Sequence, residues 1–348
     1  MNPFEWTEAR SAAEAAGLAS TTVAQAMTAP DGTPLSDDSA ILKAGGVDLL
    51  DLMKEDLLRP RRLVNLCAIP GLDAITGDGA ATATHDLRIG ALATLEQIAA
   101  HAEVRQRYTA LAEAAQVSAS PQIRHVATLG GNLLQRPHCW YFRAAFYHCL
   151  RKGGSRCYAL FGENQYHAIF DNHTCAIVHP STAATALVAL DARLELMDKA
   201  GTRREIRLER FFVSPDTDIR RENDLKPGEI VTAILLPASP PSLRSVHLKQ
   251  GEKETFDWPL ADVAVALDLA PERHCRRVAI VLGAAAPVPY RARAAEAALA
   301  GKILDEAVVA RAAREALDGA TPLAENGYKM PLLEALVRRA LMKAAELI

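Results

Sequence analysis

Four of the chain's six cysteines, Cys139, Cys149, Cys157 and Cys175, fall between Pro137 and Val178, with gaps of nine, seven and seventeen residues. The same stretch gathers His138, His148, His167 and His173, with His179 just beyond, in a chain that is only 5% aromatic yet concentrates Trp, Tyr and Phe here. Four thiolates so placed are candidates for an iron–sulfur cluster, a zinc site or plain structural thiols. A disulfide framework belongs to small chains that cannot bury a core, and 348 residues at 49% hydrophobic content need no such staple. Zinc sites usually present closely spaced Cys-x2-4-Cys knuckles, and this stretch has none. A cluster asks only that four thiolates converge in space, and wide gaps under an aromatic cover suit it best. The residues alone leave the three readings open.

A second chemistry resides in two glycine pairs. Ala40–Lys43 is a short apolar run, Gly45-Gly46 follows, and Val47, Leu49, Leu50, Leu52 and Met53 continue at helical spacing, so the segment reads as strand, turn and helix start. Such a turn offers backbone N–H groups and a positive dipole end to an anion, and glycines let a pyrophosphate approach the main chain. The plainer reading is a tight turn. Gly130-Gly131-Asn132, after Ile123, Val126 and Leu129, repeats the pattern, and the two pairs suit one extended ligand with two phosphates as well as they suit two unrelated turns.

The elements that must position these groups can be read in order. Length predicts two or three structural units. A net charge of -3, with no basic run interleaved with aromatics, sets nucleic acid aside as a partner. The first residues carry no basic-then-apolar leader, and no run of 18 apolar residues occurs, so neither an export signal nor a membrane span is expected. Alanine spacing predicts a helix over Thr7–Ala16, and residues 19–38 read as a surface loop. Strands are expected at Arg62–Leu66 and Leu87–Leu92 around the hairpin GLDAITGDG, and helices at Leu95–His101 and Tyr108–Gln116. Cys67 reads as a small buried hydrophobe in a strand-like run, and Cys275 as part of a charged turn, ERHCRR. ATALVALDA is an apolar helix or strand, RLELM and REIRL pair antiparallel, and GEIVTAILLP at 228–237 is a buried strand. ASPPS at 238–242 reads as a linker, followed by three strands and then helices at 294–300, 304–317 and 331–347.

Taken together, KAGGVDLLDLM (43–53), SASPQIRHVATLGGNLLQR (118–136), HPSTAATALVALDA (179–192) and LKQGEKETFDWPLADVAVAL (248–267) resemble the FAD-binding (medium) subunit of the molybdenum hydroxylases, the xanthine dehydrogenase and aldehyde oxidoreductase family. The likeness is greatest to the aldehyde oxidoreductase type whose flavoprotein subunit carries an extra 4Fe–4S insertion. The resemblance implies an α+β fold: a two-subdomain FAD-binding domain of the vanillyl-alcohol-oxidase type over 1–237, with the insertion at about 137–178, and a smaller α+β domain over 243–348. It implies that Leu42, Lys43, Ala44, Gly45, Gly46, Val47, Asp48, Leu49 and Leu50, with Thr128, Gly130, Gly131 and Asn132, wrap the FAD pyrophosphate. Ser118, Thr182 and Val231 would flank the cofactor, and Lys249 would lie near the isoalloxazine. Cys139, Cys149, Cys157 and Cys175 would ligate the cluster, and Cys67 and Cys275 would not. Val47 and Thr182 stand where the family commonly has threonine and aspartate, and His125 where it has asparagine. No catalytic residue is expected, because the implied role is electron transfer from a molybdopterin-binding large subunit, through a 2Fe–2S small subunit, to FAD and an external acceptor. A self-contained flavin oxidoreductase and a zinc-stabilised assembly subunit are the competing readings. The expected compartment is the cytoplasm, or the periplasm if a partner subunit carries the export signal.

Overall fold

Short strands early in the chain pair with partners far along it, and pairing decides their conformation. The computed structural model describes residues 2–19, 21–27, 40–77, 86–253 and 256–348. Its first part contains β1 (Glu5–Glu8), α1 (Ala12–Leu18), α2 (Val23–Ala26), β2 (Ala40–Lys43), α3 (Val47–Lys54) and β3 (Arg62–Asn65). β3 lies between β1 and β2 and runs parallel to both. The helix expected from Thr7 therefore starts later. Glu5 to Glu8 are taken up by β3, with Glu5 also bound to the Arg62 guanidinium at 2.6 Å, and α1 begins only after Ser11, whose hydroxyl accepts the Glu14 N–H. Within the expected loop, α2 carries a Thr22/Gln25 capping box. Ser20 and residues 28–39 lie outside the described residues. Cys67 corrects its expectation: β3 ends at Asn65, and the thiol is exposed, donating to Ala44 O at 3.3 Å.

The second part supplies β4 (Ile75–Gly77), β5 (Leu87–Gly90), α4 (Leu95–Ala100), α5 (Ala102–Arg107), α6 (Thr109–Gln116), α7 (Pro121–Arg124), α8 (Leu129–Leu134), α9 (Trp140–Arg143), α10 (Thr182–Ala189), β6 (Arg193–Asp198), β7 (Arg203–Arg207), α11 (Leu208–Phe211) and β8 (Glu229–Leu236). The strands form an antiparallel sheet in the order β4-β5-β8-β6-β7. β8 is central and buried from Ile230 to Leu236, which is why it reads as an unbroken apolar run, whereas the edge strand β7 alternates exposed and half-buried residues. Arg62–Asn65 and Leu87–Gly90 are strands as expected but lie in different sheets, so GLDAITGDG does not join them as a hairpin; it supplies β4, which pairs with β5, and residues 78–85 lie outside the described residues. α10 is buried on every side, because it packs between α6, α8 and α11 and the strands that follow.

The third part is β9 (Leu243–Gln250), β10 (Ala261–Ala270), β11 (His274–Gly283), β12 (Tyr290–Arg291), α12 (Arg293–Leu299), α13 (Glu306–Glu315) and α14 (Lys329–Ala344). This antiparallel sheet, in the order β12-β11-β10-β9, is covered on both faces. Along β10 and β11 the small residues Ala264, Ala266 and Ala279, with Val281, pack into the core shared with α6 and α10. Val263, Val265, Leu267, Ile280 and Leu282 alternate with them and meet α12–α14. Cys275 belongs to this second set and is 2% exposed within β11; of ERHCRR, Glu272 and Arg273 do form a turn, with φ of 59° and 60°, and the strand begins at His274.

Between α8 and α10 the cysteine-bearing segment has little regular structure of its own, only α9 and two single 3-10 turns. It is held from outside by residues 321–329. Asn326, fully buried, donates to His167 O and Ala168 O at 3.1 Å each, and Asn164 and Glu325 exchange main-chain N–H bonds at 2.8 and 3.0 Å. Asn172 donates to Thr321 O at 2.8 Å. Lys329, also fully buried, donates to Tyr166 O at 3.1 Å and Ala284 O at 2.8 Å. Burial pulls the Lys329 ammonium down from 10.5 to about 7, a difference of roughly 5 kcal/mol against the charged form. Between about pH 7 and 10.5 the unfolded lysine holds a proton that the folded one lacks, so the unfolded state loses its advantage and stability rises with pH across that window. Urea midpoints measured from about pH 7 to pH 9.5 should therefore rise more steeply for the native chain than for Lys329→Met; parallel profiles would contradict the buried-lysine assignment.

Candidate functional site

β2 delivers the chain to Gly45-Gly46, where Gly46 takes φ 83° as the residue before α3. That left-handed conformation favours glycine. No side chain caps α3, and the N–H groups of Val47, Asp48 and Leu49 have no acceptor among the described residues. They open into a cavity of about 310 Å³. Gly45 has a different reason for lacking a side chain: a Cβ there would stand 1.9 Å from Val126 O, so it is glycine because the two glycine-bearing segments touch main chain to main chain.

The second pair departs from the expected strand and turn, since Gly130 and Gly131 lie inside α8. Its N–H groups are already used: Leu129 donates to Ala93 O, Gly130 to Ala91 O, Gly131 to the Thr128 hydroxyl and Asn132 to Thr128 O. Here glycine permits contact with Ala91, 3.0 Å from a Cβ on Gly130, and leaves the cavity wall open. The Asn132 carboxamide oxygen accepts from the Ser181 hydroxyl at 2.5 Å, and the Ser118 and Thr182 hydroxyls share a buried bond of 2.6 Å. Lys249 is half-buried and tied to Val117 O at 3.0 Å and Asp257 O at 2.6 Å, and burial lowers its pKa.

Of the residues expected to hold the dinucleotide, all but two line this one cavity. Lys43 turns toward Asn65 and the Trp6 ring, and Leu50 packs with the core under α3. Leu72, Leu92, Arg136, Glu222 and Trp258 also line the cavity; Arg136 and Trp258 fall inside the recognised motifs without having been singled out, and Glu222 lies in no motif. An open helix N-terminus and a left-handed glycine, with Arg136, Arg221, Lys226 and Lys249 among the lining residues, fit the pyrophosphate of FAD.

The four thiols lie beside it. None is in a disulfide; Cys149, Cys157 and Cys175 are buried and Cys139 is partly so. The main chain turns tightly at two of them, with Phe142 N–H donating to Cys139 O at 3.0 Å and Lys152 N–H to Cys149 O at 2.9 Å. Burial pushes the Cys139 thiol up to about 12, whereas the Cys175 thiol beside Cys157 brings Cys157 down to about 7. His167 Nε2 is 3.2 Å from Cys139 Sγ. Burial holds His138 and His179 at about 3 and His167 at about 4, so none is cationic at neutral pH. Tyr141, Tyr147 and Tyr158 close over the thiols with ring centroids 4.9 to 5.9 Å apart. Among the described residues no three His, Cys, Asp or Glu side chains are gathered as a metal-binding group, which supports neither the zinc nor the cluster reading.

One carboxylate joins the two places. Asp48, in the first turn of α3, accepts the Arg136 N–H at 2.9 Å and the Arg143 guanidinium at 2.5 Å, which orients the chain as it enters the cysteine segment. Because Gly45 fixes the contact on which this geometry rests, Gly45→Ala should destabilise the chain by about 2 kcal/mol or more and strip bound flavin, read as the urea midpoint and the flavin-to-protein ratio after gel filtration. Gly131→Ala, whose Cβ meets only the Thr128 hydroxyl at 2.9 Å, should be the milder of the two. Equal retention of flavin by Gly45→Ala and the native chain would refute this role.

Comparison with known proteins agrees with that geometry. Residues 2–239 match the FAD binding domain in molybdopterin dehydrogenase, and residues 246–344 match the CO dehydrogenase flavoprotein C-terminal domain. The aldehyde oxidoreductase FAD-binding subunit PaoB of Escherichia coli (strain K12) is 36% identical over 304 residues, spanning 86% of this chain and 90% of that protein. The carbon monoxide dehydrogenase medium chain of Hydrogenophaga pseudoflava is 25% identical over 315 residues, spanning 89% of this chain and 90% of its own length. Among solved structures, carbon monoxide dehydrogenase from Hydrogenophaga pseudoflava superposes with a TM-score of 0.73 at 26% identity, covering 99% of each chain. The fold is thus the two-subdomain FAD-binding architecture with its C-terminal domain, and the chain belongs to the FAD-binding, or medium, subunits of the molybdenum hydroxylase family.

Proposed function

We propose that the chain carries FAD and one 4Fe–4S cluster, and that it is the electron-transfer subunit of a multi-subunit molybdenum hydroxylase. The observation that carries this reading is the placement of four largely buried thiols beside the cavity into which the open N-terminus of α3 points. Neighbouring cations and an aromatic cover suit a thiolate-bound cluster. The partners on this reading are a molybdopterin-binding large subunit, which holds the substrate site, and a 2Fe–2S small subunit. Relatives described as the medium chain or FAD-binding subunit of carbon monoxide, aldehyde and xanthine-oxidising enzymes support it. The FAD-binding part is assigned to 1–237 and the C-terminal domain to 243–348, and the compartment is the cytoplasm unless a partner brings an export signal.

Bound FAD would supply storage for two electrons between one-electron clusters and an external acceptor. The residues present divide the remaining work. The open N-terminus of α3 holds the pyrophosphate through main-chain N–H groups, and Gly46 keeps that turn free of side chain. Lys249 holds its ammonium at the cavity wall by two carbonyl bonds. Cys139, Cys149, Cys157 and Cys175 would ligate the cluster, while Tyr141, Tyr147 and Tyr158 keep water from it.

Iron and FAD per chain, measured on the complex co-purified with its partner subunits, test both cofactors separately. Serine at any of Cys139, Cys149, Cys157 or Cys175 should remove about four irons per chain, and Cys67→Ser or Cys275→Ala should remove none. Zinc in place of iron, or a cluster that survives Cys175→Ser, would overturn the ligand assignment while leaving the flavin assignment to its own count.

A further inference from the structure

Arg136 and Arg151 share a single carboxylate. Arg136 Nη2 lies 2.8 Å and Arg151 Nη1 2.5 Å from the same Glu222 oxygen, and the three side chains are 3%, 1% and 10% exposed. Two guanidinium groups against one carboxylate leave a net positive charge buried, which costs several kcal/mol unless an anion balances it. Arg151 also keeps two buried donors, Nε and Nη2, with no hydrogen-bond partner. Orphaned buried N–H groups are rare in native proteins and call for a specific explanation. The groups facing Arg151 besides Glu222 are the thiols of Cys175 and Cys149. Its neighbour Lys152, anchored to Ala144 O at 2.6 Å, faces Cys149 and Cys139. Both residues lie on the single turn Leu150–Lys152 directly after Cys149, so the chain places two cations at the thiols within one turn.

Surplus positive charge and unsatisfied donors on the same side call for an anionic occupant. A 4Fe–4S cluster held by four thiolates is one, and it becomes more negative on reduction. We propose that Arg151 is the residue that tunes this cluster: it donates N–H to the Cys175 sulfur and favours the reduced form, and Glu222 fixes its position and offsets part of its charge. This rests on the cluster reading above. Glu222 and Arg136 also line the dinucleotide cavity, so the same ion pair that sets the cluster's electron affinity forms a wall of the flavin site.

The test compares the co-purified complex carrying the native chain, Arg151→Gln, Arg151→Lys or Glu222→Gln. Iron and FAD are counted first, and the cluster is then titrated reductively while its EPR signal is followed. Arg151→Gln should lower the midpoint potential, Arg151→Lys should restore part of it, and Glu222→Gln should raise it, with the 2Fe–2S signals of the partner unmoved. Opposite shifts from the two ends of one ion pair are not what loosened packing produces. An unchanged potential in Arg151→Gln, or a shift of the same sign in Arg151→Gln and Glu222→Gln, overturns the proposal. Should Arg151→Gln lose its iron, Glu222→Gln decides: a rise supports the proposal and no shift overturns it. A native complex with FAD but without iron in this subunit removes the inference and the cluster reading together.

Discussion

The main-chain oxygen of Val126 occupies the space that any side chain on Gly45 would need, and the central cavity exists because two segments approach that closely. One segment follows β2 of the parallel sheet, and the other precedes α8 beside the antiparallel sheet. Their contact aims the start of α3 into the space between the sheets. It also brings Asp48 within reach of Arg136 and Arg143, so the entry to the cysteine segment is set by the same approach. A helix N-terminus gives its anion site direction only if the helix cannot swing, and here the main-chain contact prevents that.

The polar groups around the cavity specify position more than they add stability. Buried one-to-one ion pairs are often close to neutral in net energy when intact, yet losing one partner costs about 3–5 kcal/mol because a charge is left unpaired; the two guanidinium groups on Glu222 are not such a matched pair. Stability comes from elsewhere: the alternating faces of β10 and β11, with alanine toward α10 and larger aliphatics toward α12–α14, lock the C-terminal sheet between two cores. Rigid cores then hold an irregular segment whose own secondary structure is slight.

Much of this was legible from local chemistry. The turn into α3, the buried run of β8 and the three C-terminal strands and helices follow from period and punctuation, and the structure has them within a few residues. What failed has a common cause. β1 is a strand because β3 pairs with it, Cys275 is buried because inside β11 it pairs with Leu269 while Arg276 and Arg277 face out at a register shift, and Cys67 is exposed because β3 stops two residues earlier. Lys43 and Leu50 sit in the right motif and face away from the cavity, since a strand and a helix each turn some side chains from any given wall. Arg136, Glu222 and Arg151 were missed for the opposite reason: although Arg136 ends a recognised motif and Arg151 lies in the cysteine stretch, their chemistry is a shared contact in space that no spacing announces.

The clasp formed by residues 321–329 has a consequence in time. Asn326 trails His167 by 159 positions, so a ribosome releases the thiol segment long before it makes the residues that close over it. Until residues 321–326 are in place, Asn164, His167, Ala168 and Asn172 lack these partners and keep only bonds within their own segment, such as Asn164 to Ala159 O and Asn172 to Ala168 O. The segment richest in reactive side chains is thus synthesised near the middle and finished near the end. Its maturation runs against the direction of translation, and the interval between the two is the period in which anything destined for those thiols can enter without unfolding the rest.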